Sequence, residues 1–99
     1  MEYIVLNNSE ETLLEQLIEE AGELVQAAAK RLRIKRGESP TPVTIEQNKE
    51  DLIEELADVS LCARAVMNKL HINSKVMLIQ DEKEDRWTER LKEAERGKK

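Results

Sequence analysis

Apolar residues recur at three- and four-residue steps through two long stretches of this chain, and that spacing restricts both stretches to helices. In the first, Leu13, Leu14, Leu17, Ile18, Ala21, Leu24, Val25, Ala28 and Leu32 make one apolar face. In the second, Leu52, Ile53, Leu56, Val59, Ala63, Val66, Met67 and Leu70 do the same. Side chains three and four apart stack on one side of a helix, whereas a half-buried strand would alternate. Gly37, Pro40 and Pro42 oppose a continuing helix and predict a loop over about 34–43.

The ends of these helices carry capping signals. Asn8 and Glu11 are spaced as a capping pair, so the first helix is expected to start near Asn8 or Ser9 and to run to about Arg33. Thr44 and Gln47 have the same spacing and open a second helix that reaches about Leu70. The tetrapeptide HINS (71–74) breaks the pattern, and strong helix formers predict a third helix over about 75–96, with a frayed tail at 96–99. After Ile79 its apolar positions reduce to Trp87, Leu91 and Ala94, and Trp87 is expected to anchor the helix to the core or to a partner. With no Phe, one Trp and one Tyr, the apolar volume must come from aliphatic side chains, which suits helix-on-helix packing. The expected fold is therefore all-α, a single domain over 1–99 whose three main helices form a bundle. Three helices, one of them weakly amphipathic, leave apolar faces that a second copy would cover, so a homodimer or higher homo-oligomer is expected.

Charge narrows the class of partners. Charged residues make up 37% of the sequence and the formal net charge is −5, which argues against an electrostatic grip on nucleic acid or anionic lipid. Cys62 is the only cysteine, no stretch has the roughly 18 apolar residues needed to span a bilayer, and MEYIVLNNSEE has no basic start, all of which fits a reducing cytosol.

Within the first apolar pattern lies LIEEAGELV (17–25), and it recurs thirty-five residues later as LIEELADVS (52–60). At roughly 100° per residue, Glu20 and Glu23 lie one turn apart at the edge of the first apolar arc, and Glu55 and Asp58 lie beside the second. Glu19 and Glu54 point farther toward solvent. If the two arcs face one another, four carboxylates converge, and they repel strongly unless protonated or shared with a cation. An all-oxygen set suits Mg²⁺, with Mn²⁺ as a second choice, and no Glu has a His three residues on as a di-iron bundle would want. Gly22, with Ala57 at the equivalent place in the second motif, is expected to mark a close approach of helices.

The pair EEAGE (19–23) and EELAD (54–58) resembles the EExxE and ExxD signature of the MazG-like all-α nucleoside triphosphate pyrophosphohydrolases. The likeness extends over about 13–70, and the later KEDRW resembles the final helix of short members. The long, proline-bearing connector is a departure from the pattern. The resemblance implies that Glu20, Glu23, Glu55 and Asp58 ligate Mg²⁺ and that Glu19 is a ligand or a neighbour of the ligands, all five belonging to the catalytic set. It implies hydrolysis of a nucleoside triphosphate, ribo or deoxy, to the monophosphate and pyrophosphate, in nucleotide-pool housecleaning.

A triphosphate needs cations beyond the metal. Lys83, Arg86 and Arg90 form one stripe on the third helix, and Lys30 lies on the acid side of the first. Asn48, two turns before Glu55, is placed to contact a base or ribose. Cys62, one turn after Asp58, reads as a small packing residue. Two competing readings remain at this level: a non-catalytic helical interaction module whose acids are merely solvated, and a hydrolase of another phosphoanhydride such as a nucleotide-sugar or an alarmone.

Overall fold

The computed structural model describes residues 1–38 and 44–98, and the prolines of the connector fall outside that range. Among these residues four helices follow one another: α1 (Glu2–Leu6), α2 (Glu10–Arg36), α3 (Ile45–Leu70) and α4 (Asn73–Gly97). Among the described residues there is no strand, as the apolar spacing required.

Local chemistry fixes the boundaries. Ser9 caps α2, its hydroxyl oxygen accepting from the Thr12 amide at 3.1 Å. The expected Asn8–Glu11 pair is not what opens the helix, because the Asn8 amide donates back to the Ile4 carbonyl at 2.9 Å and closes α1 instead. At the other end α2 continues through Arg36, three residues farther than its apolar pattern, so the loop starts later than expected. Gly37 then takes the left-handed conformation at φ 65, with Gly37 donating to Ile34 and Glu38 to Arg33, a pairing that satisfies carbonyls the helix end would leave open. Thr44 caps α3 as its spacing foretold, accepting from the Gln47 amide at 3.0 Å. At the α3 end the same turn is built on His71, a non-glycine residue at φ 56, with Ile72 donating to Met67. That turn hands the chain to α4, which starts at Asn73, two residues earlier than expected.

α2 and α3 form an antiparallel hairpin, and helices of their length span about 40 Å. Among the described residues, Leu13, Ala27 and Ala65 are the buried apolar residues, and Asn48 is the one buried polar residue. Asn48 donates from Nδ2 to the Ala27 carbonyl at 3.2 Å and so joins the two helices across their seam. α1, a helix too short to show any apolar period, packs against α3, where the Lys69 ammonium donates to the Val5 carbonyl at 3.0 Å. α4 packs against α3 alone. The outcome is an open molecule: its radius of gyration is 17.7 Å, where a compact domain of this length has about 13 Å. Gly22 departs from expectation as well, since a Cβ there would meet nothing within 4 Å.

Candidate metal centre

The hairpin brings the two acidic motifs together. Glu20 of α2 and Glu55 and Asp58 of α3 each present a carboxylate oxygen, and these oxygens all lie within 4.8 Å of one another. Their convergence follows from register: Glu55 and Asp58 are one turn apart on α3, and the antiparallel pairing that sets Ala27 beside Asn48 carries Glu20 to them. Glu55 is half-buried, and its Oε2 is shut off from solvent without a hydrogen-bond partner. A carboxylate oxygen withdrawn from water and left unpaired is costly unless a proton or a cation satisfies it.

Electrostatics report the same crowding. Loss of water and then the charges of Asp58, Glu55 and Glu19 raise the Glu20 carboxyl above its usual value of 4.5. Glu55 is raised likewise, by loss of water first, then by Glu23, Asp58, Glu54 and Asp51. Partial burial, with Glu20 and Asp58 beside it, pushes the Cys62 thiol up and keeps it protonated. A divalent cation fits this donor set, being all oxygen and short of positive charge.

The remaining sequence candidates separate into three groups. Glu19 and Glu23 are exposed and flank the cluster: Glu19 acts on Glu20 and Glu23 on Glu55 through charge. Glu23 also borders a small recess of about 120 Å³ together with Gln26, Ala27, Lys30, Asp51 and Glu55. Lys30 thus stands beside the site, half-buried. Asn48 is fully buried, with its Oδ1 unpartnered, and presents no surface to a ligand; its amide ties α2 to α3 instead. Lys83, Arg86 and Arg90 are exposed on α4 in an open trough with Asp85, Glu89 and Glu93, and no α4 residue joins the carboxylate cluster or the recess. Their cations have no acid within 4 Å among the described residues, where the recorded ion pair is Arg96 with Glu89 at 3.7 Å.

Sequence reasoning missed Gln26 and Asp51 as lining residues. The signal was available: Gln26 falls between Glu23 and Lys30 at helical steps of three and four, and Asp51 lies one turn before Glu55.

Fold and site together define a helical hairpin protein with a carboxylate cluster suited to a divalent cation. The MazG nucleotide pyrophosphohydrolase domain model matches residues 8–80, most of the chain, and the chain belongs to that family. Comparison with individual curated proteins and with solved structures gave no match. No helix of the described residues is long and apolar enough to cross a membrane.

Proposed function

We propose that this protein is a Mg²⁺-dependent nucleoside triphosphate pyrophosphohydrolase, with Mn²⁺ as an alternative ion, acting as a single-domain homo-oligomer in the cytosol. The observation that carries this reading is the meeting of Glu20, Glu55 and Asp58 around the buried, unpartnered Oε2 of Glu55. These three carboxylates hold the cation, and Glu23 and Glu19 stand beside them to complete or steady the set. When bound, the cation supplies neutralisation of triphosphate charge and a lowered pKa for water.

The chain's own groups then act on the substrate. A carboxylate oxygen of the cluster left free by the cation is suited to accept the proton of the attacking water. The water oxygen bonds to the α-phosphorus, the bond from that phosphorus to the bridging oxygen breaks, and pyrophosphate leaves with the electron pair. Positioning and charge supply most of the acceleration in such chemistry. The recess is framed by Glu23, Asp51 and Glu55 against one Lys30, so its charge favours a base bearing N–H donors over another phosphate. Lys83, Arg86 and Arg90 are the cations left for the phosphates.

The test is pyrophosphate release from a panel of ribo- and deoxynucleoside triphosphates with Mg²⁺, beside a Glu20→Gln control. Release that vanishes in the control is expected, and the ranking of the panel identifies the base. A folded protein inert on every triphosphate, yet active on a nucleotide-sugar, would reassign the substrate to another phosphoanhydride. Inertness on both, with a melting temperature indifferent to Mg²⁺, would favour the interaction module, which the exposed Trp87 and Leu91 of α4 already lend a docking surface.

A further inference from the structure

Charge is sorted along α2. From Glu10 to Glu23 the helix carries six acids and no cation, and Lys30, Arg31, Arg33, Lys35 and Arg36 then set five cations in seven residues with no acid among them. Lys30 with Arg33, Arg31 with Lys35 and Arg33 with Arg36 stand three or four residues apart, and like charges at those steps weaken a helix. None of the five has a carboxylate within 4 Å among the described residues, where the recorded ion pair is on α4. The connector stretch SPTPV (39–43) adds no charge to offset them.

Helix-end electrostatics account for part of this run. Cations in a last turn complement the partial negative charge of open carbonyls, and Arg33, Lys35 and Arg36 occupy that turn. Lys30 and Arg31 precede it, and the effect fades within one turn. The positive end is also electrically separate from the acids of α2. At 1.5 Å per residue the centres of the two groups lie roughly 25 Å apart, about three Debye lengths at physiological salt. Even with Glu38 and the charges at the start of α3 included, residues 30–51 hold six cations against four acids. The net charge of −5 therefore describes the whole molecule and not the surface that a partner meets at this end.

We infer that the C-terminal end of α2 is a docking surface for the phosphate backbone of a nucleic-acid duplex, held without regard to base sequence. This goes beyond the pyrophosphohydrolase reading and does not depend on it.

Three features select this partner. Lys35 and Arg36 are exposed and line neither the recess beside the cluster nor the α4 trough, whereas a small phosphate compound takes a concave site. Three of the five cations are Arg, whose planar fork pairs with phosphate oxygens two at a time. The aromatic residues of the chain, Tyr3 and Trp87, stand on α1 and α4, so no ring is at hand to stack on an unpaired base or to seat in a membrane interface. What remains is contact with phosphates alone, which positions a duplex and reads no sequence. Arg31 is set inward, with Nη1 closed off from solvent, which leaves Lys30, Arg33, Lys35 and Arg36 for the backbone.

The experiment is fluorescence anisotropy of short, labelled DNA and RNA duplexes of mixed sequence titrated with the full chain. Binding is expected to weaken on the order of a hundredfold between about 50 and 200 mM salt, the dependence of about four phosphate contacts. A Lys35→Gln/Arg36→Gln double variant should reduce the steepness of that salt dependence by about two units and bind about tenfold weaker at low salt. Its circular dichroism and pyrophosphate release should match wild type, since both side chains are exposed and outside the carboxylate site. Arg64→Gln, which removes an exposed cation from α3, should bind as wild type does, and the tighter of the two duplexes names the nucleic acid. No binding to either duplex at low salt overturns the inference. So does a double variant that binds like wild type, or an Arg64→Gln protein that loses as much. Binding to phosphatidylserine vesicles with none to either duplex also overturns it, and would assign the cations to a membrane surface. A folded protein that binds duplex yet releases no pyrophosphate would support this inference while failing the enzymatic reading.

Discussion

Helices α2, α3 and α4 have similar lengths, yet the α2–α3 pair and α4 stand in opposite relations to the rest of the molecule. In the hairpin, each helix has a neighbour, a capped start, a left-handed turn at its end and a buried amide across the seam. α4 has no side-chain cap, no buried residue and contact with α3 alone. Helices do not hold themselves in water by propensity alone at this length without tertiary packing or many surface pairs, and α4 shows a single weak ion pair. The difference teaches where specificity resides: in the hairpin, side chains have fixed neighbours and can be tuned as a site, while α4 offers cations and apolar residues whose neighbours must come from a ligand or another chain.

The strongest way to break this comparison is at the carboxylates. Glu20→Gln or Asp58→Asn is expected to lower pyrophosphate release on the order of a hundredfold or more, and to remove any rise in melting temperature with Mg²⁺. Full activity in either variant would detach the hairpin from the chemistry. Next comes Asn48→Ala, which strips a donor from the Ala27 carbonyl inside the seam and should cost about 1–3 kcal/mol, read as a lower urea midpoint. A matched Gln80→Ala change on exposed α4 should cost far less.

Charge removal on α4 sharpens the contrast from its other side. Single Lys83→Gln, Arg86→Gln or Arg90→Gln changes are expected to raise KM by about threefold, the size of one exposed charge contact, with the melting temperature unmoved because these residues are exposed. A changed melt with an unchanged KM would make the stripe structural instead. Gly22→Ala should stabilise α2 by about 0.5–1 kcal/mol, since glycine is unfavourable inside a helix and nothing stands within 4 Å of the added Cβ.

The last effect is one of sign. Glu20 and Glu55 are raised above 4.5 in the folded protein, so the fold holds their protons more tightly than the unfolded chain. Their stabilising contribution is complete below 4.5 and is lost as pH rises through the folded values. With a chelator present, Glu55→Gln should therefore melt above wild type at neutral pH. The gap should close on acidification, and a gap that widened would contradict the crowding of the cluster.

Much of the hairpin was legible because its determinants are local. Apolar steps of three and four marked α2 and α3, Thr44 and Gln47 marked a cap, and the repeated acids marked the helix edges that meet. What escaped depends on tertiary geometry or on segments too short for a period. α1 is five residues long, below one and a half turns. Asn48 was placed on the correct side of α3, but spacing cannot tell an amide that faces a ligand from one that faces a carbonyl across the seam. Gly22 looked like a point of close contact because glycine is rare in helices, yet only packing reveals that its surroundings are open.

The Asn48 to Ala27 hydrogen bond has a consequence for how such a chain can change over time. Sliding α3 by one turn, about 5.4 Å, would align Asn48 with a different carbonyl and part Glu20 from Glu55 and Asp58. The amide therefore works as an index pin, setting the constellation of acids from two turns away. With the helices pinned in this way, residues can be inserted or removed between Gly37 and Thr44 without resetting the alignment. That stretch is free to drift in length while the carboxylates keep their places.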